Sequence, residues 1–322
     1  RQRLGGDEQT GIAAGVSIAE YEAGRIRRHE LTRDDKERER TRHIDTAGAQ
    51  TGPVFLTYRG EEAIGRLAAR VASRSPEYDF TAGDGVDHTV WVIDDQAEIR
   101  EVVDGFAKVD FLYIADGHHR AAAAATVARL RTERNPSDRG DEAYHFLMAV
   151  LFPQQQVRIM DYNRAVRDLN GLTERMFLES VGERFFISEG FAEKSPAQRH
   201  EFGMYLGGAW RRIAAKKEIL RDDDPIDGLD VSLLQEHLLG PVLGILDQRT
   251  DTRIAFIGGS RGMVELENLV DRGDYAVAFS LYPPTVGEMM AVADAGRVMP
   301  PKSTWFEPKL LSGLFVHLLT AS

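Results

Sequence analysis

The sequence predicts a mixed fold, an α/β N-terminal half joined near residue 140 to a β-rich α+β half. Three observations carry this expectation. Helical and strand-like stretches alternate up to residue 133, the pattern of an α/β layer. A short apolar run from Phe111 to Ala115 meets Asp116 and Gly117, then five alanines after Arg120, which reads as buried strand, tight turn and helix. Beyond the loop at 135–141, strand-like runs dominate.

In chain order, residues 12–20 alternate loosely and read as a strand closed by Gly24. Thr32 can cap a helix over 34–43, whose charges form i,i+4 pairs with almost no apolar stripe. Residues 53–58 are a strand of the buried type, and 61–73 an amphipathic helix with Ile64, Leu67, Ala68 and Val71 inward. Strands at 78–81 and 86–93 flank a Gly-Asp-Gly turn, and His88 in the second is expected to be structural. A helix over 95–106 leads to the central strand. The Ala-rich helix after it runs to Glu133 and stops at Asn135-Pro136.

In the second half, 144–152 and 157–163 read as strands joined by Pro153 and three glutamines, with Arg164 ending the second. A helix over 172–181 precedes strands at 185–191, 201–206 and 210–214, the last two about Gly207-Gly208. Asp222, Asp223 and Asp224 read as a solvated loop, since consecutive acids cannot all face one ion. Helices are expected over 231–246, 264–269 and 285–295, with strands at 253–257 and 275–281. The glycine-rich stretch from Gly258 to Gly262 lacks the Lys-Ser/Thr of a P-loop and reads as an ordinary strand-to-helix turn.

The junction after the central strand holds the densest chemistry. A helix N-terminus presents free N–H groups and a positive dipole end, and Arg120 adds a planar fork suited to phosphate or carboxylate. Asp116 can hold a metal ion, accept a proton or cap the helix; Gly117 lets the backbone turn. His118 and His119 complete a turn with four polar side chains. Adjacent helical histidines point about 100° apart, so they bind one ion less readily than an i,i+4 pair. His29 and Glu30 lie where a loop enters a helix, and Lys36 and Arg40 follow on a similar face. Near the end, Pro300-Pro301 stiffens a segment in which Lys302 and Lys309 are cations and Ser303 and Thr304 are donors. That segment suits a phosphate-bearing ligand, or is a structural tail docked by Trp305 and Phe306.

Composition excludes several classes. No cysteine is present, so there is no disulfide, Cys-based zinc site or thiol nucleophile. A net charge of −11 argues against a general nucleic-acid binder. No run of about 18 apolar residues marks a membrane span, and no signal-peptide pattern precedes Gly11, so a cytoplasmic location is expected.

Asp116, Gly117, His118, His119 and Arg120 after a hydrophobic strand resemble the signature of the ParB/sulfiredoxin-like superfamily, and more closely the bacterial family DUF1015. Two further stretches support the closer match: Gly24 to Thr32 with Lys36-Glu37, and Met299 to Lys309. Members of the resembled family carry a further N-terminal segment, so a chain opening at Arg1 is expected to lack its start. Ala121 stands where an aromatic is usual and Glu39 where aspartate is common, which leaves nucleotide identity open.

The resemblance implies a ParB/sulfiredoxin-like nucleotide-binding domain over 1–140, and an α+β domain over 141–322 whose Pro-Pro-Lys-Ser-Thr loop returns to the site. Lacking cysteine and a helix-turn-helix segment, the chain fits neither the sulfiredoxin nor the DNA-partitioning branch. One remaining branch phosphorylates free serine with an adenine nucleotide. By that analogy Glu30 is the general base, with His29, Asp116 and His118 in the catalytic group. Gly117, His119, Arg120, Lys36, Arg164, Lys302, Ser303, Thr304 and Lys309 bind ATP or ADP, and Asp116 holds Mg²⁺. The expected partners are the nucleotide and a small-molecule substrate, with neither nucleic acid nor membrane, and homo-oligomerisation is left open. The alternatives are a nucleotide-binding switch without an acceptor, and a metal-dependent phosphate-ester hydrolase using His118 and His119.

Overall fold

The computed structural model describes residues 1–320. They form two units, one of Arg1–Val157 with the chain from Pro308 onward, the other of Arg158–Glu307. The second unit is thus an insertion in the sequence of the first, and the division falls at Val157 and Pro308, not near residue 140.

In the first unit, strands β1 (Gln2–Leu4), β2 (Asp7–Gln9) and β3 (Ile12–Ser17) precede helix α1 (Ile18–Glu22) and strand β4 (Ile26–Arg27). Helix α2 (Asp34–Ala47), β5 (Ala49–Gln50), β6 (Val54–Tyr58) and α3 (Glu62–Val71) follow. Next come β7 (Tyr78–Thr81), β8 (Asp87–Val90), α4 (Gln96–Phe106), β9 (Leu112–Asp116), α5 (His118–Arg134) and β10 (Phe146–Pro153). The central sheet has the order β3-β10-β6-β9-β4; β10 is parallel to β6 and β4 is parallel to β9. β10 lies between two neighbours, which explains its unbroken apolar run, and it carries the first unit past residue 140. Near the C-terminus, His317–Leu318 pairs with β5.

Alanine sets the packing of α5. Ala121, Ala124, Ala125 and Ala128 join Val54, Leu56 and Ile114 in the main core, while Ala123 and Val127 meet Ile44 of α2, Tyr144 and Leu319. Short side chains on both faces let a sheet and a second helix approach the same helix closely. This also accounts for α2, which has little apolar surface and buries only Ile44. His88 is buried and stacked on Phe80 at 5.3 Å, a structural position.

The second unit holds β11 (Ile159–Met160), β12 (Tyr162–Val166), α6 (Glu174–Arg184), β13 (Phe185–Glu189), β14 (Glu201–Leu206) and β15 (Ala209–Ala215). Helix α7 (Asp230–Leu234), β16 (Ile254–Gly258), α8 (Met263–Asp271), β17 (Val277–Leu281), α9 (Val286–Asp294) and β18 (Trp305–Phe306) complete it. Its sheet, β13-β15-β14-β17-β12-β16, is antiparallel throughout. The mixed α+β class is as the sequence predicts.

Several local expectations are corrected. The strand at the start of the central sheet ends at Ser17, whose hydroxyl caps α1. Thr32 is not the cap of α2: Arg33 occupies that position, and the Thr32 hydroxyl donates to Glu37 at 3.2 Å. The stretch 157–163 breaks into β11 and β12, leaving Arg164 in the middle of a strand. The helix expected over 231–246 is α-helical only to Leu234 and continues as a π turn to Leu239, ahead of Pro241, which has no N–H to extend it.

Candidate functional site

The site candidates in the first unit gather at one end of its central sheet because of strand direction. Parallel strands β4 and β9 pair Ile26 with Leu112 and Arg27 with Tyr113, so their C-terminal ends lie side by side. The loop after β4 carries His29 and Glu30, and the turn after β9 carries Asp116 to Arg120. Ligand sites of open α/β sheets form at such strand ends. At the end of β9 the pairing register with β6 shifts between Phe55 and Leu56, from Asp116 to Ile114. Such a bulge turns the following side chain relative to plain alternation. Gly117 then has φ +100°, a conformation L side chains avoid, and a Cβ there would stand 2.9 Å from Arg120 Nε. The turn is built around the returning guanidinium.

Arg120 donates from Nη2 to Asp116 Oδ2 at 3.1 Å, and Lys309 Nζ lies 4.0 Å from the same oxygen. Gly52 lies against Arg120 and Ser312, where a Cβ would be 3.4 Å from Arg120 Nη1 and from the Ser312 hydroxyl. Gly313 N–H donates to the Thr51 carbonyl at 2.7 Å, which ties the C-terminal segment to the loop before β6. Two cations thus flank a part-exposed carboxylate just before the first turn of α5. The arrangement can hold an anion, with Asp116 available to a hard cation on that anion.

The neighbouring group is different in kind. His29 and His118 are buried, and their rings meet edge to face at 4.5 Å. Burial pushes the His29 imidazole down to about 4, opposed by its hydrogen bond to the Ile114 backbone. Burial also pushes His118 well below its ordinary value, and His29, His119 and Arg28 add to the shift. Both rings are therefore neutral at pH 7. His118 Nδ1 stands 3.6 Å from Glu30 Oε2, on a side chain about half exposed. His118 Nε2 has no hydrogen-bond partner among the described residues. A half-exposed carboxylate beside neutral imidazoles can take a proton from a hydroxyl brought to it.

His119 points away from His118, as helical spacing predicts, and its Nε2 accepts the Arg33 N–H at 3.0 Å. It fastens the loop of Glu30 to α5. Lys36 is on the exposed face of α2, paired with Glu39 at 3.2 Å.

Other sequence candidates belong to the second unit. Arg164 is 1% exposed; it donates to the Tyr162 carbonyl, to the Lys302 carbonyl at 3.0 Å and to Gln248 at 3.3 Å, and lies over the Phe256 ring. Burial pushes its pKa down to about 9. This is an interior strut of its sheet. Lys302 has φ +57° and holds its ammonium 5.8 Å from the Tyr162 ring centre. The buried Ser303 hydroxyl donates to the Pro300 carbonyl at 2.6 Å, Thr304 is half-buried, and Phe306 docks in the interior. Of the triple aspartate, Asp222 meets Arg199 and Asp224 meets Arg297.

Sequence reasoning did not find Gly52 or Ser312. The Gly-Pro step at 52–53 was the available sign, since glycine ahead of a buried strand marks close approach. A second His-carboxylate group among the described residues, Asp138, Glu142 and His145, accepts hydrogen bonds from Thr132, Tyr144 and the N–H groups of Arg139 and Gly140. It closes the 135–145 loop.

No curated protein matches the chain. Among solved structures, a free serine kinase in complex with AMP is 13% identical, with 95% of this chain and 92% of that one covered and a TM-score of 0.42. A mutant free serine kinase with ADP is 15% identical over 95% and 93%, TM-score 0.41. SbnI with a C-terminal truncation, from Staphylococcus aureus, is 11% identical over 95% and 87%, TM-score 0.47. The family described as "Protein of unknown function (DUF1015)" matches residues 1–232, well over half the sequence. The chain belongs to the DUF1015 family.

Proposed function

We propose that the first unit is a ParB/sulfiredoxin-like phosphotransferase domain, moving a phosphoryl group from ATP or ADP to the hydroxyl of free serine or a related hydroxy amino acid. The observation that carries this reading is one sheet end presenting an anion cradle and, beside it, a carboxylate against neutral histidines. Phosphoryl transfer asks a protein mainly for positioning and charge neutralisation. Arg120, Lys309 and the first-turn amides of α5 hold the phosphates, with Gly117 letting the backbone approach. Asp116 is placed to share a Mg²⁺ ion with them, since Mg²⁺ is usually held by one or two carboxylates together with substrate phosphates. When bound, that ion neutralises phosphate charge.

Glu30 takes the acceptor hydroxyl proton, the acceptor oxygen bonds to the terminal phosphorus, and the bond to the leaving nucleotide phosphate breaks. His118 and His29 form the floor beneath Glu30, and His119 fixes its loop through Arg33. The test is phosphorus NMR of the protein with Mg²⁺, ATP or ADP and a set of hydroxy amino acids. A new phosphomonoester that disappears when one acceptor is omitted supports the reading and names the substrate. Glu30→Gln is expected to abolish turnover while keeping nucleotide affinity within about twofold, given the ~10²–10⁴-fold worth of a positioned base. Nucleotide loss that ignores the acceptor would replace the kinase reading with a switch or hydrolase.

A further inference from the structure

The imidazole of His118 is 3% exposed, yet Nε2 has no hydrogen-bond partner among the described residues, and Nδ1 faces Glu30 only at 3.6 Å. With the ring proton on Nε2, on the other edge of the imidazole, the Nδ1 lone pair is left facing Glu30 and can serve a shared ion. His29, Glu30 and His118 each offer one ligand atom, and the three lie within 4.8 Å of one another. Two imidazoles and one carboxylate are the donor set of a borderline transition cation, whereas Mg²⁺ and Ca²⁺ prefer oxygen alone. Ligand atoms around such a cation sit about 3–3.5 Å apart at bond lengths of ~2.0–2.2 Å. The remaining closure falls to Glu30, whose side chain is 53% exposed and can move.

We infer that His29, Glu30 and His118 form a site for a divalent transition cation of the Zn²⁺ class, separate from the Mg²⁺ expected with a nucleotide at Asp116. Its effect on turnover rests on the phosphotransfer reading: a cation on the Glu30 carboxylate competes with the acceptor proton, so Zn²⁺ suspends the reaction. The packed side of the site is made by β9 and α5, leaving Glu30 as the solvent-side ligand and entry point.

The experiment is calorimetric titration of the chelator-treated full chain with ZnCl₂, and with CoCl₂ followed by visible absorption. One Zn²⁺ per chain is expected, with Co²⁺ bands typical of nitrogen and oxygen ligands and no displacement by millimolar Mg²⁺. His118→Ala and Glu30→Gln should each weaken Zn²⁺ binding by about tenfold or more, the scale seen even for partners of metal ligands. Should His118→Ala fail to fold, the half-exposed position of Glu30 keeps the second variant decisive. No Zn²⁺ binding, or binding unchanged by Glu30→Gln, overturns the inference. Zn²⁺ held by a protein that phosphorylates nothing upholds the site and removes the kinase reading; turnover without Zn²⁺ binding does the reverse.

Discussion

Asp230 should make the second unit less stable as pH rises, the opposite of what a salt-bridged aspartate does. The residue opens α7 and is 7% exposed. Its Oδ1 accepts the His200 N–H at 2.9 Å, while Oδ2 has no hydrogen-bond partner among the described residues. Arg199 is the nearby cation, but its guanidinium already meets Asp222 at 3.2 Å, Glu288 at 3.0 Å and the Gly228 carbonyl. Burial therefore prevails and raises the Asp230 carboxyl to about 7, with the His200 N–H and Arg199 opposing it. Between an ordinary value near 3.8 and about 7, the folded carboxyl keeps a proton that the unfolded one has lost. Folding takes up a proton in that window, so stability falls as pH rises through it.

At about 1.4 kcal/mol per pH unit, the cost is roughly 2 kcal/mol at pH 5 and about 4 kcal/mol at pH 8. Asp230→Asn keeps an oxygen for His200 and removes the ionisation. The wild-type protein should then lose about 2–3 kcal/mol more than the variant between pH 5 and pH 8. Urea denaturation at both pH values reads this through Trp210 and Trp305, both in the second unit, after correction for Trp91 in the first. Comparing slopes cancels whatever the new amide costs at a fixed pH. Parallel pH profiles for the two proteins would refute the argument.

Two further outcomes are expected. Gly117→Ala must carry a side chain at φ +100° with its Cβ 2.9 Å from Arg120 Nε; it should cost about 1–3 kcal/mol by urea denaturation and weaken ADP binding by calorimetry. Unchanged affinity would mean that the turn does not shape the anion cradle. Arg164→Met leaves the Tyr162 and Lys302 carbonyls and Gln248 without their donor, at roughly 1–3 kcal/mol for each buried acceptor, so a loss of about 3 kcal/mol or more is expected. Lower nucleotide affinity without lower stability would instead give Arg164 the binding role that the family resemblance implies.

Local chemistry was legible in the sequence where it depended on neighbours along the chain. The turn at Gly117, the α5 helix and the divergence of His118 from His119 follow from residue type and helical spacing, and all three are present. Strand pairing was not legible. Nothing near His29 reveals that β4 lies parallel to β9, yet that pairing brings His29 and Glu30 to His118. Arg164 is a candidate by family resemblance alone, and nothing in the sequence locates the carbonyls that take its N–H groups. The boundary near 140 was misplaced because a buried interior strand such as β10 has no amphipathic period to assign it to one unit or the other.

The order in which the first unit is assembled has a consequence for synthesis. Its sheet is complete in sequence by Pro153, but Lys309, Ser312 and the Gly313 tie to Thr51 are translated only after the whole inserted unit. A nascent or truncated chain ending before Pro308 can hold the central sheet and the Gly117 turn while lacking the second cation of the cradle. On the phosphotransfer reading proposed above, the cradle would therefore be completed last, by the C-terminal segment.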